Sequence, residues 1–492
     1  MAGSGEIENL ERELGDLKRE LRIARSAHQN VSTQPQTAET ETELSLPPID
    51  LSQQHQLARR LNLVQRADHY FFVDVVGTCN LRCPSCAVGN YGILGRKGLM
   101  SLPTYSEILK KIRSENPDHK RLFVDLYNWG EPGLHPDLSK FVAMTKELGM
   151  GVGLSSNLNV FPNLRDTIKA EPDYLRISLS GSHNETYQKT HKRGDIFAVK
   201  SNMYKIRHLL DRYRSNTVID VGFHIYRSNF PSDFLAIRSL CDELGFLFAP
   251  VIATILPAEK VLQIADGMRT NLDKELLENL VLPVDETLEL FRKTGEPTPD
   301  CQFRQHRTTI NFDGSVALCC AVYEPDKTLL PDFLSASREK IERQKYAHDF
   351  CRTCMSKHVN KLYIGYERET RQQRAISVLG PLFEQYIEER RLLGQPDYLV
   401  VEGRFEKKDA VYERAMAALS QGERGWEETE ACLDALIDGA PDFGEGFFQA
   451  GAMAMRRKNY QRASELLEEA THLAPDNANY AQALKDAQAM LT

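Results

Sequence analysis

No stretch of this 492-residue sequence approaches the roughly 18 consecutive apolar residues of a membrane-spanning helix, and its N-terminus lacks a basic leader followed by an apolar segment. Neither a membrane-spanning helix nor a secretory signal is expected, and the protein should be cytosolic. The sequence also lacks an excess of positive charge: 61 Lys and Arg face 69 Asp and Glu, for a formal net charge of −8. Without a basic arm interleaved with aromatics, nucleic acid is not an expected partner. Gly and Pro are too few, at 30 and 22, for a collagen-like or wholly disordered chain, and 41% apolar with 26% charged residues is a globular composition. In the reducing cytosol, ten cysteines are better read as metal ligands or redox groups than as a disulfide framework.

The length favours roughly three domains. Ile7, Leu10, Leu14, Leu17 and Leu21 recur at alternating spacings of three and four. This is the seam of a coiled coil that could pair two chains into a homodimer, or an amphipathic helix docked on its own domain. The polar stretch 28–46 reads as a linker. From 70 to 255, apolar runs (YFFVDVV, RLFVDLY, MGVGLSS, DYLRISLS, VIDVGFHIY, LFAPVIATI) alternate with helical patterns such as TYSEILKKIRSE and IFAVKSNMYKIRHLL. Six such steps imply an α/β domain with a parallel sheet, either doubly wound or a partial barrel, whose chemistry belongs in the loops after the strands. Near the C-terminus Ala-Pro-Asp occurs at 440–442 and again at 474–476, a spacing of 34. That is the period of tetratricopeptide helix pairs. Gly451, Ala463 and Ala470 fall where that repeat needs small residues, and Phe447 and Leu467 at its large apolar positions. Two units are fewer than such arrays need, so the segment is expected to lean on the main domain or on a partner.

The stretch CNLRCPSC places Cys79, Cys83 and Cys86 directly after the first strand-like run. A closed zinc site would want a fourth ligand, which this loop does not supply. Three thiolates suit a [4Fe–4S] cube with one iron left open to a small molecule, and a redox dithiol or a zinc half-site is the alternative.

This motif resembles that of the radical S-adenosylmethionine (SAM) enzymes. The resemblance implies a partial (βα)6 barrel. It also implies a cluster on Cys79, Cys83 and Cys86 whose open iron chelates SAM, and reductive cleavage of SAM to a 5′-deoxyadenosyl radical that abstracts hydrogen from substrate. NWGEP at 128–132 is similar to the family's G-G-E-P turn. Gly130 and Glu131 match, as contacts to the methionine amino group, while Trp129 stands at the first glycine. Ser155, Ser156 and Asn157 resemble the ribose-contacting segment. Ser178 and Ser180, in ISLSG, match the polar strand end facing the cofactor, and Arg193 is a partner for its carboxylate.

A second set, Cys301, Cys319, Cys351 and Cys354, includes C-x12-G-x4-C around a hairpin turned at Asp313-Gly314, followed by C-x2-C. Spacing alone also permits zinc. The pattern looks like the twitch or SPASM auxiliary domain of the same superfamily, which implies a second [4Fe–4S] cluster, with Cys320 as an alternative to Cys319. Cys241 and Cys432 read as buried small hydrophobes. The expected organisation is an N-terminal helix at 1–27, the linker at 28–46, the radical SAM core at 47–290 and the auxiliary domain at 291–370. A helical connector at 371–404 and tetratricopeptide-like repeats at 405–492 complete it. The resemblance implies an external one-electron reductant such as flavodoxin or ferredoxin, and a small polar substrate, first of all a carbohydrate undergoing dehydrogenation or epimerisation. A peptide or protein maturase presenting its substrate on the repeats is the second reading. A repeat-based adaptor with a non-catalytic cluster fold, binding a protein partner, is the third.

Overall fold

The apolar runs between amphipathic stretches become the strands of one sheet. The computed structural model describes residues 45–491 apart from 66, 93–96, 118, 120, 269–273, 294–299, 364–367, 395–396 and 402–403. The N-terminal helix expected at 1–27 and nearly all of the linker lie outside the described residues. The strands are β1 (His69–Val73), β2 (Leu122–Asp125), β3 (Gly151–Ser156), β4 (Tyr174–Leu179), β5 (Val218–Ile225) and β6 (Leu247–Phe248). Each pairs in parallel with the next. Spatial order follows chain order without reversal. Right-handed crossovers therefore lay every connecting helix on one face, as in a partial barrel, and the doubly wound alternative, which needs a reversal, does not apply. The sheet stays open. The run 247–255, expected as one strand, is two short ones, β6 and β7 (Val251–Ile252), both paired with β5. Pro250 lies between them and has no N–H for a ladder.

Alternation along each strand sorts the two faces. Val73, Val124, Val152, Leu154, Leu175, Ile177, Ile219 and Val221 point to the helices and are almost fully buried. Against them pack helices Leu102–Glu115, Leu138–Glu147, Ile196–Tyr213 and Ser232–Leu244. Two N-caps show how the sequence starts them: Ser101 Oγ accepts from Thr104 N (3.2 Å) and Asp195 Oδ1 from Phe197 N (3.0 Å). Residues of the other parity, Asp125, Ser155, Tyr174, Arg176, Ser178, Asp220 and His224, project to the concave side. They are polar because this side is not closed by a second hydrophobic layer. Asp220, fully buried, pairs with the Arg176 guanidinium (2.7 Å), and Asp125 accepts from Tyr174 Oη (2.5 Å).

The second cysteine region joins the same sheet. β8 (Arg307–Ile310) lies parallel to β1 on its outer edge, and β9 (Val316–Ala317) and β10 (Thr328–Leu330) follow antiparallel. Gly314, at φ +84°, makes the turn between β8 and β9, and Asp313 Oδ1 accepts from Ser315 N (3.0 Å). The stretch expected as a helical connector contains helices Arg368–Leu379 and Pro381–Leu393, and also a hairpin of β11 (Tyr398–Val401) and β12 (Arg404–Lys407).

Five C-terminal helices follow: Lys408–Leu419, Trp426–Gly439, Gly444–Arg456, Tyr460–Leu473 and Ala478–Ala489. Ala463, Leu467 and Ala470 are fully buried, and an added Cβ at Gly451 would lie 2.6 Å from Leu467 Cγ. The helices lean on the main body: Leu51–Val64 packs on Trp426–Gly439 and on β11, and Arg59 pairs with Asp442 (3.0 Å). Cys241 and Cys432 are buried. Leu436 sits fully buried in the cluster that includes Leu399 of β11. Leu436→Ala should therefore destabilise this region by about 2–5 kcal/mol. The measurement is urea denaturation followed through Trp426 in a Trp129→Phe background, these being the two tryptophans of the chain.

Candidate active site

A cavity of about 800 Å³ opens beyond the carboxyl ends of the strands. Cys79, Cys83, Cys86, Gly130, Glu131, Ser155, Ser156, Asn157 and Ser178 all line it. Residues far apart in sequence meet there because β1 to β4 end side by side.

The cysteine loop is tightly built. Cys86 N donates to Cys83 O (3.0 Å), Leu81 N to Cys79 Sγ (3.4 Å), and the Arg82 guanidinium to Cys79 O (2.8 Å). Tyr226 Oη donates to Ser85 Oγ (3.1 Å) and Leu256 N to Ser85 O (2.8 Å), which fastens the loop to the β5 side of the cavity. Burial pushes the Cys79 thiol up to about 12 and raises Cys83 and Cys86 as well, and each of Cys79 and Cys83 is raised further by the neighbouring sulfurs. Three mutually repelling sulfurs with no fourth protein ligand in the loop are a donor set that fits a cationic cluster, whose charge would favour the thiolates.

Below the cysteines, Asp74 organises the loop after β2. Its carboxylate accepts from Trp129 N (3.2 Å) and Gly130 N (3.1 Å). A Cβ on Gly130 would stand 1.6 Å from Val76 O, so no other residue fits without moving backbone. Trp129, the departure from a double glycine, turns its ring outward: Nε1 donates to Val322 O (3.1 Å) and the ring meets Tyr323 edge-on. Asn128, with its amide oriented to satisfy both neighbours, donates to Cys320 O (3.1 Å) and accepts from Trp129 Nε1 (3.0 Å). The Glu131 carboxylate accepts from Ser156 Oγ (2.6 Å), Asn157 N (2.9 Å) and Gly133 N (3.0 Å). Burial outweighs these bonds and pushes Glu131 up to about 7. Asn157 Nδ2 reaches Asn80 Oδ1 (2.9 Å) and Cys79 Sγ (3.7 Å), and the Ser155 and Ser178 hydroxyls are 3.4 Å apart.

Two of the expected residues are not at the cavity surface. Arg193 is exposed and does not line the cavity, because the chain turns there through φ +75°. The residue this segment presents instead is His191. Ser180 is buried behind it, with Oγ 2.8 Å from His191 Nδ1. His191 also stacks on Tyr187 (centroids 4.6 Å apart) and lies near His224, which projects from β5. Sequence reading missed both histidines. His224 has the strand parity of Asp220 and could have been found by it, whereas His191 lies on a turn with no periodic signal. Burial pushes His191 down to about 3 and His224 to about 4, so both are neutral.

The second cysteine set converges around Cys301, whose charge acts on Cys319, Cys351 and Cys354. The Cys319 and Cys320 thiols act on each other, holding Cys320 down, helped by Arg307, and raising Cys319. Both sulfurs thus belong to this group. Cys351 and Cys354 share the helix Asp349–Ser356. Among the described residues, no three His, Cys, Asp or Glu side chains are drawn together as a ready site for one metal ion. None of the described helices is long and apolar enough to cross a membrane.

Compared with known proteins, residues 73–229 match the family model described as the radical SAM superfamily. Among solved structures, BtrN in complex with AdoMet and 2-DOIA is similar over 60% of this chain and 90% of its own, at 12% identity and a TM-score of 0.36. SuiB of Streptococcus suis, bound to precursor peptide SuiA, is similar over 68% and 78%, at 10% identity and 0.39. anSMEcpe with bound AdoMet is similar over 65% and 96%, at 14% identity and 0.37. No curated protein matches.

The neutral burial of His191 has a thermodynamic consequence. Its folded pKa lies below the unfolded value of 6.5, so the unfolded chain takes up a proton that the folded one refuses. Its share of stability is complete above about pH 6.5 and is lost as pH falls towards 3. Between pH 7 and pH 5, wild type should lose roughly 2 kcal/mol more stability than His191→Gln, measured by urea denaturation at both pH values.

Proposed function

Because residues 73–229 are a radical SAM domain, we propose that this protein cleaves S-adenosylmethionine reductively and abstracts hydrogen from a small polar substrate, a carbohydrate in the first instance, to dehydrogenate or epimerise it. One observation carries this reading: the cysteine triad, Glu131, Ser156 and Asn157 face a single cavity from the ends of consecutive strands. Cys79, Cys83 and Cys86 would hold the [4Fe–4S] cluster, and Cys301, Cys351, Cys354 and Cys319 or Cys320 a second, auxiliary one. When bound, these groups and SAM supply a 5′-deoxyadenosyl radical and an acceptor for the electron left on the substrate.

The chain's own residues do the rest. Glu131, at about 7, is poised to ionise beside the amino group of a bound cofactor, and its three hydrogen-bond donors fix the carboxylate in place before the cofactor arrives. Ser155 and Ser178 offer hydroxyls from adjacent strands, suited to a ribose. Asn157 bridges the Glu131 segment and the cysteine loop, so cofactor and cluster positions are coupled. His191 and His224, held neutral, offer hydrogen bonds on the β4–β5 side without adding charge.

Anaerobic, reduced protein given S-adenosylmethionine should release 5′-deoxyadenosine, and a Cys79→Ala, Cys83→Ala, Cys86→Ala triple variant should release none. Iron should amount to about eight per chain in wild type and about four in the variant. Full iron loading without 5′-deoxyadenosine would overturn the enzyme reading, and zinc in the second site would show in the same metal analysis.

A further inference from the structure

Part of the cavity wall remains unused by the cofactor contacts above. Helices Arg368–Leu379 and Pro381–Leu393 bring Arg368, Arg371 and Arg390 to the cavity, together with Phe383, Tyr386 and Ile387. Among the described lining residues the only carboxylate is Glu131, and it is engaged in the loop after β2.

Four other charged residues on these two helices, Arg374, Glu388, Glu389 and Arg391, are in ion pairs. Arg374 pairs with Glu286 (3.0 Å), Glu388 with Arg391 (2.6 Å), and Glu389 with Arg238 (2.7 Å). Arg371 and Arg390 have no carboxylate within 4 Å among the described residues. Arg371 Nη1 donates to Leu362 O (3.2 Å), while its Nε is wholly buried with no hydrogen-bond partner. The Tyr386 hydroxyl, on the same wall, is also buried without one. Those two atoms are sealed from the cavity, so what the wall offers a ligand is the cavity-lining guanidinium surface of Arg371 and Arg390, which no carboxylate of the described residues neutralises, beside apolar side chains. Guanidinium groups match planar or tetrahedral oxyanions through paired N–H donors.

We propose that Arg371 and Arg390, with Arg368 at the exposed edge, recognise an anionic group, phosphate or carboxylate, on the substrate. This rests on the radical reading of the cavity and narrows its substrate class. Neutral sugars lack the charge, cationic amino sugars are repelled, and phosphorylated or carboxylated small molecules are selected.

The test is calorimetric titration of the reconstituted full-length protein with inorganic phosphate, with malonate and, as the neutral control, with glucose. S-adenosylmethionine is titrated separately. Wild type should bind at least one of the two anions in preference to glucose, and which one it binds separates phosphate from carboxylate recognition. Arg371→Gln and Arg390→Gln should each weaken that binding about tenfold or more. Arg371→Lys should recover part of it, and affinity for S-adenosylmethionine should not change. Circular dichroism and iron content of each variant establish that it is folded. If wild type binds neither anion better than glucose, or if the variants lose S-adenosylmethionine instead, the inference is overturned. Cofactor cleavage without anion binding sinks this inference alone, and anion binding without cleavage sinks the enzymatic reading alone.

Discussion

The carboxylate of Asp74 is the point on which the site depends. It stands just past β1, its own N–H donates to Ile310 O of β8 (2.8 Å), and its oxygens accept from Trp129 N and Gly130 N. One fully buried residue therefore fixes the end of the first barrel strand, the loop that carries Glu131, and the first strand of the second cysteine region. Each charge-assisted bond contributes roughly 1.5–3 kcal/mol, and loss of the carboxylate would strand two buried N–H groups as well. Gly130 makes the arrangement possible, since any side chain there would collide with the Val76 carbonyl. The distance between strand ends is thus set by backbone contact, the least adjustable kind.

The two cysteine regions consequently share one sheet. β8 extends the parallel sheet at β1, Trp129 docks on Val322 and Tyr323, and Glu259 accepts from Tyr323 N (2.8 Å) and Glu324 N (2.9 Å). Continuous strand pairing ties the two regions together where a flexible linker between domains would not. The C-terminal helices are held differently, through side chains of helix Leu51–Val64 and the β11–β12 hairpin. Their hydrophobic cluster includes Leu399, so these helices complete their core with the main body and do not stand alone.

Much of this was legible in the sequence because its causes are local. The strand runs and helix periodicities follow from burial of alternating residues: five of the six apolar runs form one strand each, and the sixth forms two short ones. The cysteine loop, Gly130, Glu131, Ser155, Ser156, Asn157 and Ser178 are all found at one cavity, since each lies within a few residues of a strand end. What was not legible is tertiary. Arg193 matched by position, but a left-handed turn exposes it and hands the cavity to His191. Trp129 looked like a loss of glycine, and its partner is Val322, 193 residues away. The parallel pairing of β8 with β1 has no sequence signature, because a strand's register with a distant neighbour depends on what closes the sheet edge. Arg371 and Arg390 read as ordinary charges on amphipathic helices. Only the pairing of Glu286, Glu388 and Glu389 with other arginines shows that these two lack carboxylates.

Charge distribution then gives the cavity its selectivity. The chain as a whole carries −8 and so repels anions at long range, an effect that fades beyond a Debye length of about 8 Å in physiological salt. Within the cavity the balance reverses: three guanidinium groups and a single carboxyl are among the described lining residues, and a concave wall of one sign concentrates its field on a ligand that enters. Recognition of an anion is therefore confined to ligands small enough to enter, and a surface that disfavours anions elsewhere limits competition from nonspecific sites. Glu131 and the guanidinium groups reach the cavity from different elements, the loop after β2 and helices Arg368–Leu379 and Pro381–Leu393. A negative site suited to an ammonium and a positive site suited to an oxyanion can then orient cofactor and substrate by opposite charges, each disfavouring the other's ligand.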